Sequence, residues 1–317
     1  MDALQTFRRT ALGCVFLLAA LATPAHASRI ALPPETLAIL NKIYSFDLDG
    51  ALEDAKRMQL AQPDHPLGYL LESEILWWRI WCTSADFKYG MSDARRRNKL
   101  PSDQQYFDLD ARMSSLAESH LKQHESAEMH FYAGMAEASS ARLYALRAEY
   151  RNAARAAVRG REHLLRAKAL ESDFADADFG LGLYNYYVDT LSGMARILRF
   201  FMGIPGGSKQ EGIIQLNHVI SEGLLTPSVA RFYLALDLHR YDQQYEQALA
   251  VLAPLVEKYP TNPLFQLARG DLYAKLGRKQ LALASYRAAI ALPVQNAECQ
   301  SHIQELARVS IAALPPQ

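Results

Sequence analysis

The sequence predicts an all-α protein built of stacked helical hairpins, a solenoid, and three observations predict it. Past residue 27, alanine, leucine, arginine and glutamate dominate, while period-two alternation of valine, isoleucine and threonine is almost absent. Prolines cluster at segment ends, where a fixed φ and a missing amide do least harm. The third observation is internal repetition: Val229–Asn262 laid over Pro263–Asn296, a period of 34, sets Ala248 on Ala282, Leu252 on Tyr286 and Leu255 on Ala289. Units of that length leave an apolar face open, and stacking closes it.

The N-terminal element comes first. Arg8 and Arg9 precede an apolar run from Ala11 to Ala22, followed by Pro24 and the small-residue pattern Ala25-His26-Ala27. These are the parts of a secretory signal peptide, so cleavage after Ala27 and a periplasmic or otherwise exported location are expected. The run falls well short of the roughly 20 residues that span a bilayer. Without residues 1–27 the chain carries 32 basic and 33 acidic side chains, a formal charge of −1. That neutrality argues against nucleic acid as a partner. Only Cys82 and Cys299 remain. Two cysteines at opposite ends do not read as a disulfide framework, so both are expected as small buried apolar groups, with stability supplied by packing.

Residues 28–228 read as a divergent helical region, 229–296 as two clear repeat units and 297–317 as a capping helix and tail. A second-helix signature of small, then bulky, then small or medium residues at plus four and plus seven fits Ala248/Leu252/Leu255 and Ala282/Tyr286/Ala289. It recurs upstream at Ala51/Ala55/Met58, Gly160/Leu164/Ala167 and Gly212/Leu216/Val219, which makes five units. Small residues there let two helices approach closely, and bulky ones fill the space between neighbours. PLGYLLESEILWWRIW, after Pro63, reads as a helix rich in large apolar groups, and DADFGLGLYNYY as another whose Tyr184, Tyr186 and Tyr187 serve inter-helix packing. Thr83–Gln105, with the basic run Arg95, Arg96, Arg97, reads as a long polar connection with a solvated face.

Gly270, Tyr273, Gly277, Ala282, Tyr286 and Ala289 stand at the spacings of the tetratricopeptide repeat consensus, and the chain resembles that family. GLYNYYVDTLSGMARILRFFMGIPGGSKQEG also resembles the central block of a class of bacterial exported repeat proteins. The resemblance implies a right-handed superhelix whose first helices line a groove that binds a protein or peptide. Its inward-facing positions fall on Tyr233, Asp237, Arg240 and Tyr241 in one unit, and on Leu267, Asp271, Ala274 and Lys275 in the next.

FMGIPGGSKQEG poses the alternative of a phosphate-binding loop. Such a loop needs glycine before its lysine and a hydroxyl residue after it, yet Ser208 precedes Lys209 and Gln210 follows. Gly203 suits a left-handed helix end, Pro205 forbids continuation, and Ser208 to Glu211 forms a capping box, so the stretch reads as a turn between helices. Before it, Leu191, Met194, Ile197, Leu198, Phe200, Phe201 and Met202 cover almost the whole circumference of a helix. Burial accounts for such a helix; peripheral contact with a membrane or lipid is the alternative function.

His120 and His124, four apart, would share a helix face as metal ligands do, with His130 close by. No glutamate follows His120, so the zincin pattern is missing and a metal-dependent hydrolase is the weakest reading. No nucleophile elbow or dinucleotide fingerprint occurs. No catalytic residue, metal or cofactor is therefore expected, and recognition of a protein partner is.

Overall fold

A computed structural model describes residues 30, 32–84, 99–192, 199 and 203–315. The expected signal peptide, the run Arg95 to Arg97 and most of the apolar 191–202 stretch lie outside the described residues. Among those described there are thirteen α-helices and no strand. They are α1 Glu35–Tyr44, α2 Leu48–Ala61, α3 Leu67–Ser84, α4 Pro101–Leu121, α5 Ala127–Leu146, α6 Tyr150–Leu170 and α7 Ala177–Thr190. Then follow α8 Lys209–Glu222, α9 Pro227–Arg240, α10 Tyr245–Lys258, α11 Pro263–Lys275, α12 Lys279–Ala291 and α13 Ala297–Ala312. Each packs on its neighbour in sequence.

Local chemistry sets the ends. Asp47, Ser126, Ser208, Asn262 and Asn296 cap α2, α5, α8, α11 and α13 by accepting from backbone amides. Pro101, Pro227 and Pro263 open α4, α9 and α11, where a missing amide is harmless. The connection expected over 83–105 is therefore shorter, because α3 continues to Ser84 and α4 starts at Pro101. The turn reading of FMGIPGGSKQEG holds over its described residues. Gly203 has φ +66°, the Ile204 amide donates to the Arg199 carbonyl at 3.1 Å, and Ser208 Oγ accepts from the Glu211 amide at 3.3 Å. Tyr184 seals the turn by donating to the Pro205 carbonyl at 2.8 Å. The next connection is held by one carboxylate: Asp176, buried, accepts from the amides of Leu224, Leu225 and Thr226 and from the Thr226 hydroxyl, all at 2.8–2.9 Å.

Two kinds of helix alternate. Of the 21 residues of α6 only Ala156, Gly160, Leu164 and Ala167 are buried, one narrow stripe. In α8 the stripe is Gly212, Leu216 and Val219; in α2, α10 and α12 it likewise contains every signature residue. These are outer helices. A Cβ on Gly212 would lie 2.6 Å from the Gly182 carbonyl oxygen, so α7 and α8 touch backbone to backbone there. By contrast α9 buries 10 of its 14 residues and α11 9 of 13, which marks them as inner helices. Most enclosed of all is α3, with 15 of 18 residues buried. A helix apolar on every side needs cover on every side.

The array closes on itself. Besides α1, α2, α4 and α5, α3 packs against α13. Tyr259 donates to Asn41 Oδ1 (3.1 Å), Asn262 Nδ2 to the Tyr44 carbonyl (2.9 Å) and Thr261 to the Ser45 carbonyl (2.8 Å). The expectation for the cysteines is corrected here. Both are buried as expected, but Cys82 of α3 and Cys299 of α13 form a disulfide, with Cα atoms 5.4 Å apart. The bond arises because closure brings together residues 217 apart.

Candidate functional site

The inner face of α9 and α11, where a partner groove was expected, is occupied by α3. Trp78 lies 5.2 Å from the Phe232 ring of α9, 6.0 Å from Phe265 of α11 and 6.2 Å from Tyr44 of α1. Trp81 adds a contact to Phe232 at 5.2 Å. Rings at these separations and mostly tilted or edge-on form a packed aromatic core. One polar group of α3 anchors a small network: Glu74 pairs with Arg142 of α5 at 2.7 Å, and that guanidinium lies over the Trp77 ring at 4.6 Å and donates to Tyr106 at 2.8 Å.

This occupation sorts the expected groove residues. Tyr233, Asp237, Leu267 and Asp271 are buried, at 3%, 1%, 2% and 7% exposure. Burial pushes the Tyr233 hydroxyl up to about 12. Asp237 Oδ1 accepts from Tyr187 at 3.0 Å while Oδ2 has no hydrogen-bond partner, and burial pushes this carboxyl up to about 8. Asp271 accepts from the Tyr286 hydroxyl at 2.5 Å. The side chains that reach the surface are Tyr241 and Lys275, while Arg240 and Ala274 are half-buried. Arg240 stacks over the Tyr241 ring at 5.1 Å, and Tyr241, 41% exposed, packs edge-on against Tyr186 and Tyr187 at 5.9 and 6.1 Å. The tyrosines expected in inter-helix packing are found there.

Three residues of this region, His239, Lys209 and Asp242, were not expected at the site from the sequence. His239, buried beside a small cleft shared with Leu252 and Asp271, has no partner at Nε2. Burial above all, then the charges of Lys275 and Arg240, lowers it to about 4, so it is neutral at neutral pH. Lys209 and Asp242 form an ion pair, and Tyr186 donates to both Asp242 Oδ2 (3.0 Å) and the Asp237 carbonyl (3.1 Å). With its ammonium on Asp242, Lys209 ties the start of α8 to the turn after α9. The only cue to His239 was its place on a helix that is apolar all round.

The histidine pair needs a correction. His120 and His124 do not share a helix face, because α4 ends at Leu121 and Ser126 caps α5 after a short turn. His120 Nε2 lies 3.0 Å from the Asp64 carbonyl. His130 instead meets His163 of α6, with the two Nδ1 atoms 3.0 Å apart. Among the described residues no three or more His, Cys, Asp or Glu side chains converge as a metal site, and no helix is long and apolar enough to cross a membrane. Compared with known proteins, the chain matches no family model and no curated protein. Its functional reading rests on geometry.

Proposed function

We propose that the chain is a tetratricopeptide-like repeat scaffold, working after export, that holds a protein partner on the rim where α9 and α11 end. The observation that carries this reading is the sorting of the groove residues: the inner face is filled by α3, while Tyr241 and Lys275 stand at the surface with Arg240 half-buried beside Tyr241. Two cations and one exposed ring favour an acidic segment with an apolar neighbour, the cations steering and the ring anchoring. The repeat class is supported by the buried small-bulky-small stripes of the outer helices. Export is supported by the disulfide, which persists in oxidising compartments. The role is recognition, without catalysis.

The test is crosslinking of the tagged protein in its native cell, followed by quantification of whatever co-purifies with wild type and with Arg240→Glu/Lys275→Glu. A recurrent acidic partner whose recovery falls about tenfold in the variant, the equivalent of 1.4 kcal/mol, at unchanged melting temperature supports the rim. Undiminished recovery removes the rim. Recovery of lipid without protein would transfer the function to a membrane surface.

A further inference from the structure

His239 is the penultimate residue of α9, and its surroundings suit only a neutral ring. It is 6% exposed, its Nε2 has no hydrogen-bond partner, and the cleft it lines is otherwise walled mainly by Ala235, Leu236, Leu252, Ala268 and Leu272. Each carboxylate of the neighbourhood already accepts from another side chain. On α9 Asp237 accepts from Tyr187, in the turn after it Asp242 holds Lys209, and on α11 Asp271, which lines the same cleft, accepts from Tyr286 at 2.5 Å. From the start of α10 the Tyr245 ring packs 5.6 Å away. The remaining charges are cations: Arg240, next in the chain, and Lys275, one turn beyond Asp271 on α11.

Two effects oppose each other at this ring. A helix C-terminus favours a cation, by up to about fivefold in proton affinity. Burial without an acceptor, with Lys275 and Arg240 adding to it, works against the charge and wins: the ring is lowered to about 4, a proton affinity roughly 300-fold under that of an ordinary histidine. Position then decides how a proton can enter. The last turn of α9 is held by the Tyr241 amide on the Asp237 carbonyl and the Gln244 amide on the Leu238 carbonyl, both at 2.9 Å. Tyr186 adds its hydroxyl to the Asp237 carbonyl at 3.1 Å. Opening one terminal turn frees His239 to water at far less cost than unfolding the chain.

We propose that His239 makes the last turn of α9 acid-sensitive: on taking up a proton the ring leaves its cleft, the turn frays, and Arg240 and Tyr241 lose the positions in which they form the rim. The consequence for partner capture rests on the rim reading above; the opening itself does not. Linkage gives the sign. The enclosed ring binds a proton only near pH 4 and the freed ring near pH 6.5, so the closed turn is fully favoured above about 6.5 and is lost progressively as pH falls toward 4. Between pH 7 and pH 5 the opening constant rises roughly twentyfold.

The experiment is amide hydrogen exchange read by NMR on the full chain, with the intrinsic pH dependence divided out, for wild type and for His239→Gln, whose side chain is neutral and does not titrate. The Tyr241 and Gln244 amides are the reporters. Their protection should fall about twentyfold from pH 7 to pH 5 in wild type and stay level in the variant. Equal profiles in the two proteins would remove His239 from the response. A loss of the same size in α3 and α6 would be global unfolding in place of a frayed turn; either result overturns the proposal. Imidazole NMR of the wild type supplies a measurement that needs no variant: a His239 ring that charges near pH 6.5 while the Tyr241 amide stays protected overturns it as well. Because exchange is measured without a partner, failure of the acid response and failure of the rim are told apart.

Discussion

Cys82 in α3 and Cys299 in α13 are bonded across 217 residues of sequence, so one covalent link spans nearly the whole array of helices. In the chain-entropy account a link stabilises by removing loop-closure freedom from the unfolded chain, and for a loop of this size the effect is roughly 5 kcal/mol. Reduction should lower the denaturant midpoint by the equivalent of about 3–5 kcal/mol, with native far-ultraviolet dichroism kept in the absence of denaturant, because α3 stays enclosed on every side. Cys82→Ser/Cys299→Ser should match the reduced wild type and ignore reductant. A midpoint indifferent to reductant would show that the unfolded ensemble already holds its ends together.

Gly212 separates helix propensity from packing. In an open helix Gly→Ala stabilises by about 1 kcal/mol. Here the new methyl would meet the Gly182 oxygen at 2.6 Å and the Tyr186 nitrogen at 2.8 Å, both backbone atoms that yield only if α7 and α8 part. Overpacking of that kind costs about 1–3 kcal/mol, so Gly212→Ala should destabilise in thermal unfolding. Stabilisation would mean that the two helices separate at little cost.

These two sites divide what was legible in the sequence from what was not. The outer stripes could be read because Gly160, Leu164 and Ala167, like Gly212, Leu216 and Val219, repeat at helical spacing within a single helix. The turn could be read because Gly203 and Ser208 act on their own neighbours. The disulfide could not, since no local pattern ties Cys82 to Cys299. The filling of the groove was half legible: PLGYLLESEILWWRIW had to be covered all round, but nothing local says that Phe232 and Phe265 would do it. His124 misled because plus-four spacing places two side chains together only while the helix continues, and α4 stops at Leu121.

Arg147 and Asp103 form a two-point ion pair, Nε to Oδ2 at 2.6 Å and Nη2 to Oδ1 at 2.7 Å, with side chains 1% and 5% exposed. Asp103 Oδ2 also accepts from the Leu100 amide at 3.1 Å, at the start of α4. Asp103→Ala would take the two-point carboxylate from a buried guanidinium and uncap α4, at a cost of about 3–5 kcal/mol. Replacing both partners, as Asp103→Leu/Arg147→Met, removes the buried charge as well and should recover much of that loss. A double-mutant cycle by denaturant unfolding checks it: losses that simply add would mean that water reaches Arg147 once Asp103 is gone.

Asp237 makes the alkaline side of the stability profile testable. Its carboxyl is pushed up to about 8 chiefly by burial, opposed by the Tyr187 hydrogen bond. Between the unfolded value near 4 and that folded value the native state holds a proton that the unfolded chain has released. This group's stabilisation is therefore complete below about pH 4 and is lost as pH rises through about 8, at up to roughly 1.4 kcal/mol per pH unit. Asp110, also pushed up to about 8, acts in the same direction, so the wild-type slope alone does not isolate Asp237. The difference between wild type and Asp237→Asn does, because every other titrating group cancels in it. The asparagine keeps an acceptor for Tyr187 and cannot ionise, so the variant should gain on wild type steadily from about pH 5 to pH 8. Parallel curves over that range would mean that Asp237 is already ionised in the native state, with water or a cation reaching the oxygen that has no partner in the fold.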